Sequence, residues 1–178
     1  MLFRSPVKNI PLLLSAFARV VAVTPRARLL CVGGGPELAD MQALSSSLHV
    51  ADRVVFTGQV KDVRPLLAAT DAFALSSRHE GNPNVVLQAM AMTLPVVSTS
   101  VGEVPFVIEQ DRSGLLVASD DERALADALG ALASNPKRCR TLGDAARRRV
   151  IAHFSHAQMI ARYAELMRVA SGFSRTSA

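Results

Sequence analysis

The chain has 178 residues, of which 49% are hydrophobic and 4% aromatic, and it carries a net charge of +5. This length fits one domain with a buried core, and the near absence of aromatic residues among the basic ones argues against a nucleic-acid partner. The two cysteines lie far apart and no secretory or membrane-spanning run is found, so we expect no disulfides and a reducing, cytoplasmic location.

Apolar periodicity predicts helices that alternate with short strands along the whole chain. Residues 1–4 resemble the end of a first strand. Predicted helices cover residues 8–24, 37–48, 62–69, 82–92, 105–109, 121–133, 136–153 and 155–169, and predicted strands cover residues 27–32, 53–57, 71–75, 95–99 and 114–117. We expect one domain over residues 1–170, with its final helices (136–170) packed on it, and a frayed polar tail over residues 171–178.

The strands are continuous apolar runs, which is typical of a parallel sheet covered by helices on both faces. The expected fold class is therefore α/β, with a Rossmann-like, doubly wound parallel sheet. Such a sheet binds its ligand at the carboxyl ends of the strands, and the polar and glycine-rich segments of this sequence follow predicted strands.

Five arginines in the last quarter, Arg138, Arg140, Arg147, Arg148 and Arg149, contribute much of the positive charge. A solvated helix face is one interpretation. The other is a patch for an acidic lipid or another anion, which would place the protein peripherally at the inner membrane surface.

Residues 76–90 run from the end of a predicted strand into a helix. Asn82 can cap this helix and Pro83 suits its first position, which leaves the amides of residues 81–84 free to bind a phosphate or a hydroxyl. Glu80 precedes the helix, and Gln88 lies about 8 Å further along its axis. Alternatively, Glu80 only compensates the helix dipole of a capped helix.

The segment from Glu80 to Met90 resembles the signature of the group 1 retaining glycosyltransferases of the GT-B fold, in which a glutamate is followed, after seven residues, by a second glutamate. Glu80 matches the first glutamate, and Gln88 stands where the second is usual. Other segments match the same donor-binding, C-terminal half of that fold. In chain order they are Pro6-Val7-Lys8-Asn9, Val32-Gly33-Gly34-Gly35-Pro36, Val55-Phe56-Thr57-Gly58, Pro95-Val96-Val97-Ser98-Thr99, Val101-Gly102, Ser113-Gly114-Leu115-Leu116-Val117, Leu142-Gly143-Asp144-Ala145-Ala146-Arg147 and Phe154-Ser155.

The resemblance implies a hexosyltransferase-type enzyme that takes a UDP- or GDP-sugar donor and needs neither a metal nor a cofactor. Lys8 would stabilise the leaving diphosphate, and Glu80 with the backbone of Gly81, Asn82 and Asn84 would hold the sugar. Gln88 would contact the ribose. The turns at Gly33-Gly34 and Gly58-Gln59-Val60 would flank the nucleotide. An N-terminal acceptor domain would complete the enzyme, and without it we expect no activity.

The sequence departs from the family pattern at several positions. Phe3 stands at the place of a phosphate-binding arginine, and Arg4 is one position off, which in a strand points to the opposite face. Thr93 replaces a helix-ending glycine, although a β-branched residue suits a left-handed turn poorly. Phe106 stands where a glutamate is common. The alternative function is therefore a non-catalytic module that binds a nucleotide or a protein.

The glycine-rich segment and the histidines could also form sites. Gly33 and Gly35 could begin a dinucleotide fingerprint, but Leu38 occupies the place of its third glycine. The four histidines show no metal-ligand spacing. Of these, His79 either lines the pocket beside Glu80 or faces solvent.

Overall fold

A computed structural model describes residues 6–173 of the chain. The predicted strand end at residues 1–4, including Phe3 and Arg4, lies outside the described residues. The helices are α1 (Ile10–Val23), α2 (Leu38–Ser47), α3 (Arg64–Ala68), α4 (Asn84–Ala91), α5 (Val104–Val107), α6 (Glu122–Ala133), α7 (Pro136–His153) and α8 (His156–Phe173). The strands are β1 (Leu29–Cys31), β2 (Val54–Phe56), β3 (Phe73–Leu75), β4 (Val96–Thr99) and β5 (Leu115–Val117), and 3₁₀ turns cover Pro6–Lys8 and Ala51–Arg53.

All strand pairs in residues 6–173 are parallel, which confirms the α/β class. Within residues 6–173 the hydrogen-bonded strand orders are β1-β2 and β3-β4-β5. A cavity of about 1120 Å³ lies between β1 and β3.

The core lies around the three-stranded sheet. Every residue of β4 is buried, and the apolar faces of α1, α4 and α6 cover it. Leu13, Leu14 and Phe17 form the buried stripe of α1 that the sequence periodicity predicts. Asp121 caps α6 by accepting a hydrogen bond from the Ala124 amide at 2.8 Å, as one of the two expected capping residues.

Helix α7 packs closely behind α4. A β-carbon on Gly143 would lie 2.0 Å from the carbonyl oxygen of Thr93, so only glycine permits this approach. Thr93 itself has a φ of 65°, which confirms that this helix-ending position is left-handed and that a β-branched residue is strained there.

Two expectations about helix ends were wrong. Helix α4 begins at Asn84, and Pro83 is its cap with a ψ of 56°, so Asn82 lies outside the helix and gives it no side-chain cap. Helix α8 continues through Phe173, three residues into the stretch expected to be frayed.

Helix α8 also differs from the expected packing. Residues 157–169 are all exposed, including Met159, Tyr163 and Leu166, whereas α7 buries Leu142 and Ala146. Within residues 157–169, α8 therefore buries no side chain against the domain, whereas α7 packs on it. None of the helices within residues 6–173 combines the length and apolar content that crossing a bilayer would require.

Candidate functional site

The centre of the candidate site is an ion pair between the two residues that the sequence assigned to catalysis. The ammonium of Lys8 donates to Glu80 Oε1 at 2.5 Å, across 72 residues of sequence. Glu80 is 7% exposed and Lys8 23%, so the pair lies at the mouth of the fold with the carboxylate inside. Such a pair is strong because donor and acceptor are both charged.

Neighbouring hydroxyl groups fix the loop that carries Glu80. Ser77 donates to Glu80 Oε1 at 2.6 Å, and Thr99, at the end of β4, donates to the Ser77 carbonyl at 2.6 Å. Ser76 donates to the carbonyl of Lys8 at 2.9 Å and to that of Asn9 at 3.0 Å. The ends of β3 and β4 thus hold both members of the ion pair.

A second polar group braces the other side of the same loops. Asn9 begins α1 in the left-handed conformation, and its side chain donates to Asp120 Oδ1 at 2.8 Å. Arg78 also donates to Asp120, at 2.9 Å, and this contact lowers the pKa of the Asp120 carboxyl below its ordinary value. Three loops, before α1, after β3 and after β5, are linked through one carboxylate.

Gly102 presses directly against the backbone of Glu80. It has a φ of 52°, and a β-carbon there would lie 1.8 Å from the Glu80 carbonyl oxygen. The amide of Glu103 donates to that same oxygen at 3.2 Å. The turn after β4 therefore sets the position of Glu80, and only glycine fits at residue 102.

The two predicted glycine turns meet each other. The Gly33 amide donates to the Gly58 carbonyl at 2.9 Å, and both residues have positive φ. A β-carbon on Gly34 would make ordinary contact with the Gln59 amide at 3.6 Å. Gln59 is exposed and Val60 half-buried, so the turn after β2 presents backbone and a polar side chain at the surface.

The start of α4 follows Glu80 at the surface. Gly81, Asn82 and Asn84 are exposed, and the Asn84 amide already donates to the Asn82 carbonyl. Fewer amides are therefore free here than the sequence suggested, although the helix still begins beside the Lys8–Glu80 pair.

Gln88 lies within α4, further along the helix from its start. It is an exposed residue of α4 that lines the cavity between the two sheets, together with Val85. Its contact with a ribose remains a prediction.

The arginines of α7 are largely engaged within the protein. Arg149 donates to the carbonyls of Phe106 and Val107 and pairs with Glu109, Arg147 donates to the Ala91 carbonyl, and Arg138 pairs with Asp111 at 2.9 Å. Arg140 and Arg148 are exposed. This distribution favours the interpretation as a helix face over a single anion patch.

Other candidates for chemistry have a structural explanation. His79 is exposed, and no group of three or more histidine, cysteine or acidic residues within residues 6–173 is placed to hold a metal ion. Burial raises the pKa of the Cys31 thiol to about 12, which excludes it as a nucleophile at neutral pH.

The residues that position Glu80 were not predicted from the sequence. Ser77, Thr99 and Asp120 are small polar residues at strand or loop ends, and nothing in their spacing distinguishes them from surface residues. Gly102 was recognised only as a turn. A glycine directly after a predicted strand was the available signal for a close backbone approach.

Known proteins resemble this chain along most of its length. The profile of the family described as glycosyl transferases group 1 matches residues 1–135. The chain is 35% identical over 157 residues to the N-acetyl-alpha-D-glucosaminyl L-malate synthase of Bacillus anthracis, covering 88% of this chain and 41% of that protein. It is 32% identical to the GDP-mannose-dependent alpha-(1-6)-phosphatidylinositol monomannoside mannosyltransferase of Mycolicibacterium smegmatis, covering 91% and 45%.

The fold matches solved structures as well. Anabaena Alr3699/HepE in complex with UDP superposes with a TM-score of 0.88 at 23% identity, over 94% of this chain and 47% of that one. The chain thus spans less than half the length of these relatives. Because the family profile covers most of the chain and these relatives align along nearly all of it, the chain belongs to the group 1 glycosyl transferases.

Proposed function

We propose that this chain is the donor-binding domain of a retaining glycosyltransferase, and that it holds a UDP- or GDP-sugar at the Lys8–Glu80 pair. The observation that carries the proposal is the pair itself, an ammonium and a carboxylate 2.5 Å apart beside the start of α4. The UDP complex of the structurally similar HepE supports a nucleotide ligand for this fold.

Lys8 can bind the diphosphate while it keeps its hydrogen bond to Glu80. An ammonium has three donors, and the bond to Glu80 uses one of them. The diphosphate gains negative charge as the bond to the sugar breaks, and a fixed ammonium stabilises that charge most in the transition state. This role needs no metal ion.

Glu80 can likewise bind the sugar while it keeps its hydrogen bonds to Lys8 and Ser77. Its Oε1 accepts bonds from Lys8 and Ser77, while a carboxylate offers about four acceptor positions. The remaining positions accept from sugar hydroxyls. The amides of Gly81 and Asn82 add donors, and the partial positive charge at the start of α4 favours an anionic ligand.

The turns Gly33-Gly34 and Gly58-Gln59-Val60 would flank the nucleotide, with Gln88 on the ribose. Transfer itself would need an N-terminal acceptor domain, since the chain spans 41% to 45% of the lengths of its transferase relatives. The rival function, a non-catalytic binding module, is favoured by Gln88, which lacks the carboxylate of the family signature.

Calorimetric titration with UDP and GDP tests the proposal. We expect weak binding by the intact chain and at least a tenfold loss for Lys8→Met, because a hydrogen bond to a charged group contributes about 1.5–3 kcal/mol. Lys137→Met is the matched control, since Lys137 is exposed on α7. Circular dichroism verifies that each variant is folded. Equal affinities for the two variants, or no heat from the intact chain, would refute the proposal.

A further inference from the structure

Asn9 and Asp120 are two strained residues that hold each other beside the Lys8–Glu80 pair. Asn9 has a φ of 48° and Asp120 a φ of 60°, in the left-handed region that residues other than glycine seldom adopt. The side-chain amide of Asn9 donates to Asp120 Oδ1 at 2.8 Å. Strained backbone persists only where the surrounding structure imposes it, and it is concentrated at functional sites. Two such residues in contact, next to a candidate site, indicate a role in that site.

A single oxygen of Asp120 receives hydrogen bonds from both loops that carry the ion pair. Oδ1 accepts from Asn9, which directly follows Lys8. It also accepts from Arg78 Nε at 2.9 Å, and Arg78 lies two residues before Glu80. Asp120 itself lies between β5 and α6, so its carboxylate ties both loops to the end of the three-stranded sheet.

Asn9 depends on this carboxylate because its own side chain is buried. Asn9 is 4% exposed, and a buried amide that loses its hydrogen-bond partner is destabilised. The side chains of Asp120 and Arg78 are 52% and 56% exposed, so their ion pair contributes little to stability by itself. The bond from Asn9 to Asp120 is therefore the part of this network that can control the loop that carries Lys8.

We propose that Asp120 is a positioning residue of the donor site, which holds the ammonium of Lys8 in place for the diphosphate through its hydrogen bond to Asn9. The proposal rests on the proposed function and adds a residue to it. Asp120 does not bind the diphosphate itself, since two negative charges repel each other. Removal of the carboxylate should therefore weaken nucleotide binding if Asp120 positions Lys8, and should strengthen it if the charge of Asp120 acts alone.

Calorimetric titration with UDP and GDP compares Asp120→Gly and Asp120→Asn with the intact chain. Glycine keeps the left-handed backbone without strain but removes the carboxylate, so we expect binding to weaken about fivefold or more. Asparagine also tolerates this conformation, and its amide oxygen can accept both hydrogen bonds that Oδ1 accepts now. We therefore expect Asp120→Asn to bind within about twofold of the intact chain.

Asp111→Gly is the matched control. Asp111 has a φ of 59° and pairs with Arg138 at 2.9 Å, so it repeats both the backbone conformation and the ion pair of Asp120. Asp111 precedes β5 and Asp120 follows it, which places the two residues at opposite ends of that strand. We expect Asp111→Gly to bind UDP and GDP as the intact chain does.

Thermal unfolding, measured in parallel, separates positioning from stability. A merely structural carboxylate would lower the unfolding temperature of Asp120→Gly and leave the affinity of the folded protein unchanged, which would overturn the proposal. If Asp120→Gly does not fold, Asn9→Gly removes the same hydrogen bond from the donor side, and the same loss of affinity is expected of it.

The role of Asp120 and the proposed function fail in different ways. No heat from the intact chain would refute the proposed function, and the role of Asp120 would fall with it. Binding by the intact chain, with equal or tighter binding by Asp120→Gly, would overturn the role of Asp120 alone. So would an equal loss of affinity in Asp111→Gly, or an Asp120→Asn variant that binds as weakly as Asp120→Gly.

Discussion

Glu80 is held from several directions by residues that are distant in sequence. Lys8 and Ser77 bond to its carboxylate, and the Glu103 amide bonds to its carbonyl. A nearly buried carboxylate needs such hydrogen-bond partners in place of the water that it loses. The same contacts leave the group little freedom, which is what a residue that must orient a ligand requires.

Gly102→Ala should disturb this arrangement more than any other glycine substitution at the site. The left-handed φ alone costs about 1–2 kcal/mol for an alanine, and the β-carbon would collide with the Glu80 carbonyl. We expect a loss of about 2 kcal/mol or more in the free energy of unfolding, together with weaker nucleotide binding, measured by urea denaturation and calorimetry.

Gly130→Ala is the control for that experiment. Gly130 lies inside α6, and a β-carbon there would have no neighbour within 4 Å. Alanine should raise the stability by about 0.5–1 kcal/mol, because it lowers the entropy of the unfolded chain. A Gly102→Ala protein as stable as the wild type would contradict the close packing of Gly102 on Glu80.

Gln88→Glu tests the expected contact between residue 88 and the ribose. If residue 88 contacts a ribose hydroxyl, a carboxylate should bind it more tightly than the amide by about 1 kcal/mol, or roughly fivefold in affinity. Nucleotides with a 2′,3′-dideoxyribose should not share the gain, because their sugar has neither hydroxyl to donate.

Calorimetry with UDP, GDP and their 2′,3′-dideoxy forms gives the comparison. Weaker binding, or equal gains for both kinds of nucleotide, would show that residue 88 faces only the cavity between the sheets. Gln88 would then not have the role of the family's second glutamate, and the result would support the non-catalytic binding module.

At the scale of helices and strands, the sequence predicted the order of the elements because each has a local cause. The stripe on α1 and the Asp121 cap of α6 can be read from a few adjacent residues. The exposure of α8 could not be predicted, because it depends on which partner meets the apolar side chains of that helix. Apolar periodicity shows that a face needs cover, not what covers it.

The candidate site shows the same limit. The family motif indicated Lys8 and Glu80, and the structure brings them into contact. The capping preferences of Asn and Pro predicted a helix start at Asn82-Pro83, but the backbone at Pro83 places the helix start at Asn84. The residues that brace Glu80, such as Thr99 and Asp120, act through the fold of distant loops, which no local pattern records.

Removal of α8 should leave the rest of the domain intact. Residues 157–169 are all exposed, so a chain ended after Ser155 loses no buried side chain among them. We expect the free energy of unfolding and the nucleotide affinity to change by no more than about 0.5 kcal/mol, with less self-association, since Met159, Tyr163 and Leu166 leave the surface.

Urea denaturation, calorimetry and light scattering on the full and shortened chains provide the measurement. Replacement of Tyr163 and Leu166 by serine within the intact helix is the control, because it removes the apolar surface and keeps the helix. A large loss of stability after shortening would mean that α8 packs on the domain in solution.

At the scale of the whole molecule, the chain covers less than half of the length of its transferase relatives. The chain matches 41% of one transferase and 45% of another, and it aligns along 88% and 91% of its own length. It therefore corresponds to one continuous portion of a longer architecture.

The intact 178-residue chain should bind nucleotide without transferring sugar. Transfer needs an acceptor held against the donor and closure over both, and the expected acceptor domain would supply these. We expect no release of UDP or GDP from UDP- and GDP-sugars above the rate without protein, across a panel of sugar and lipid acceptors, while calorimetry still detects nucleotide binding. Lys8→Met is the control for contamination, because a co-purified enzyme would be unaffected by it. Turnover by the intact chain that Lys8→Met abolishes would show that this domain catalyses transfer by itself.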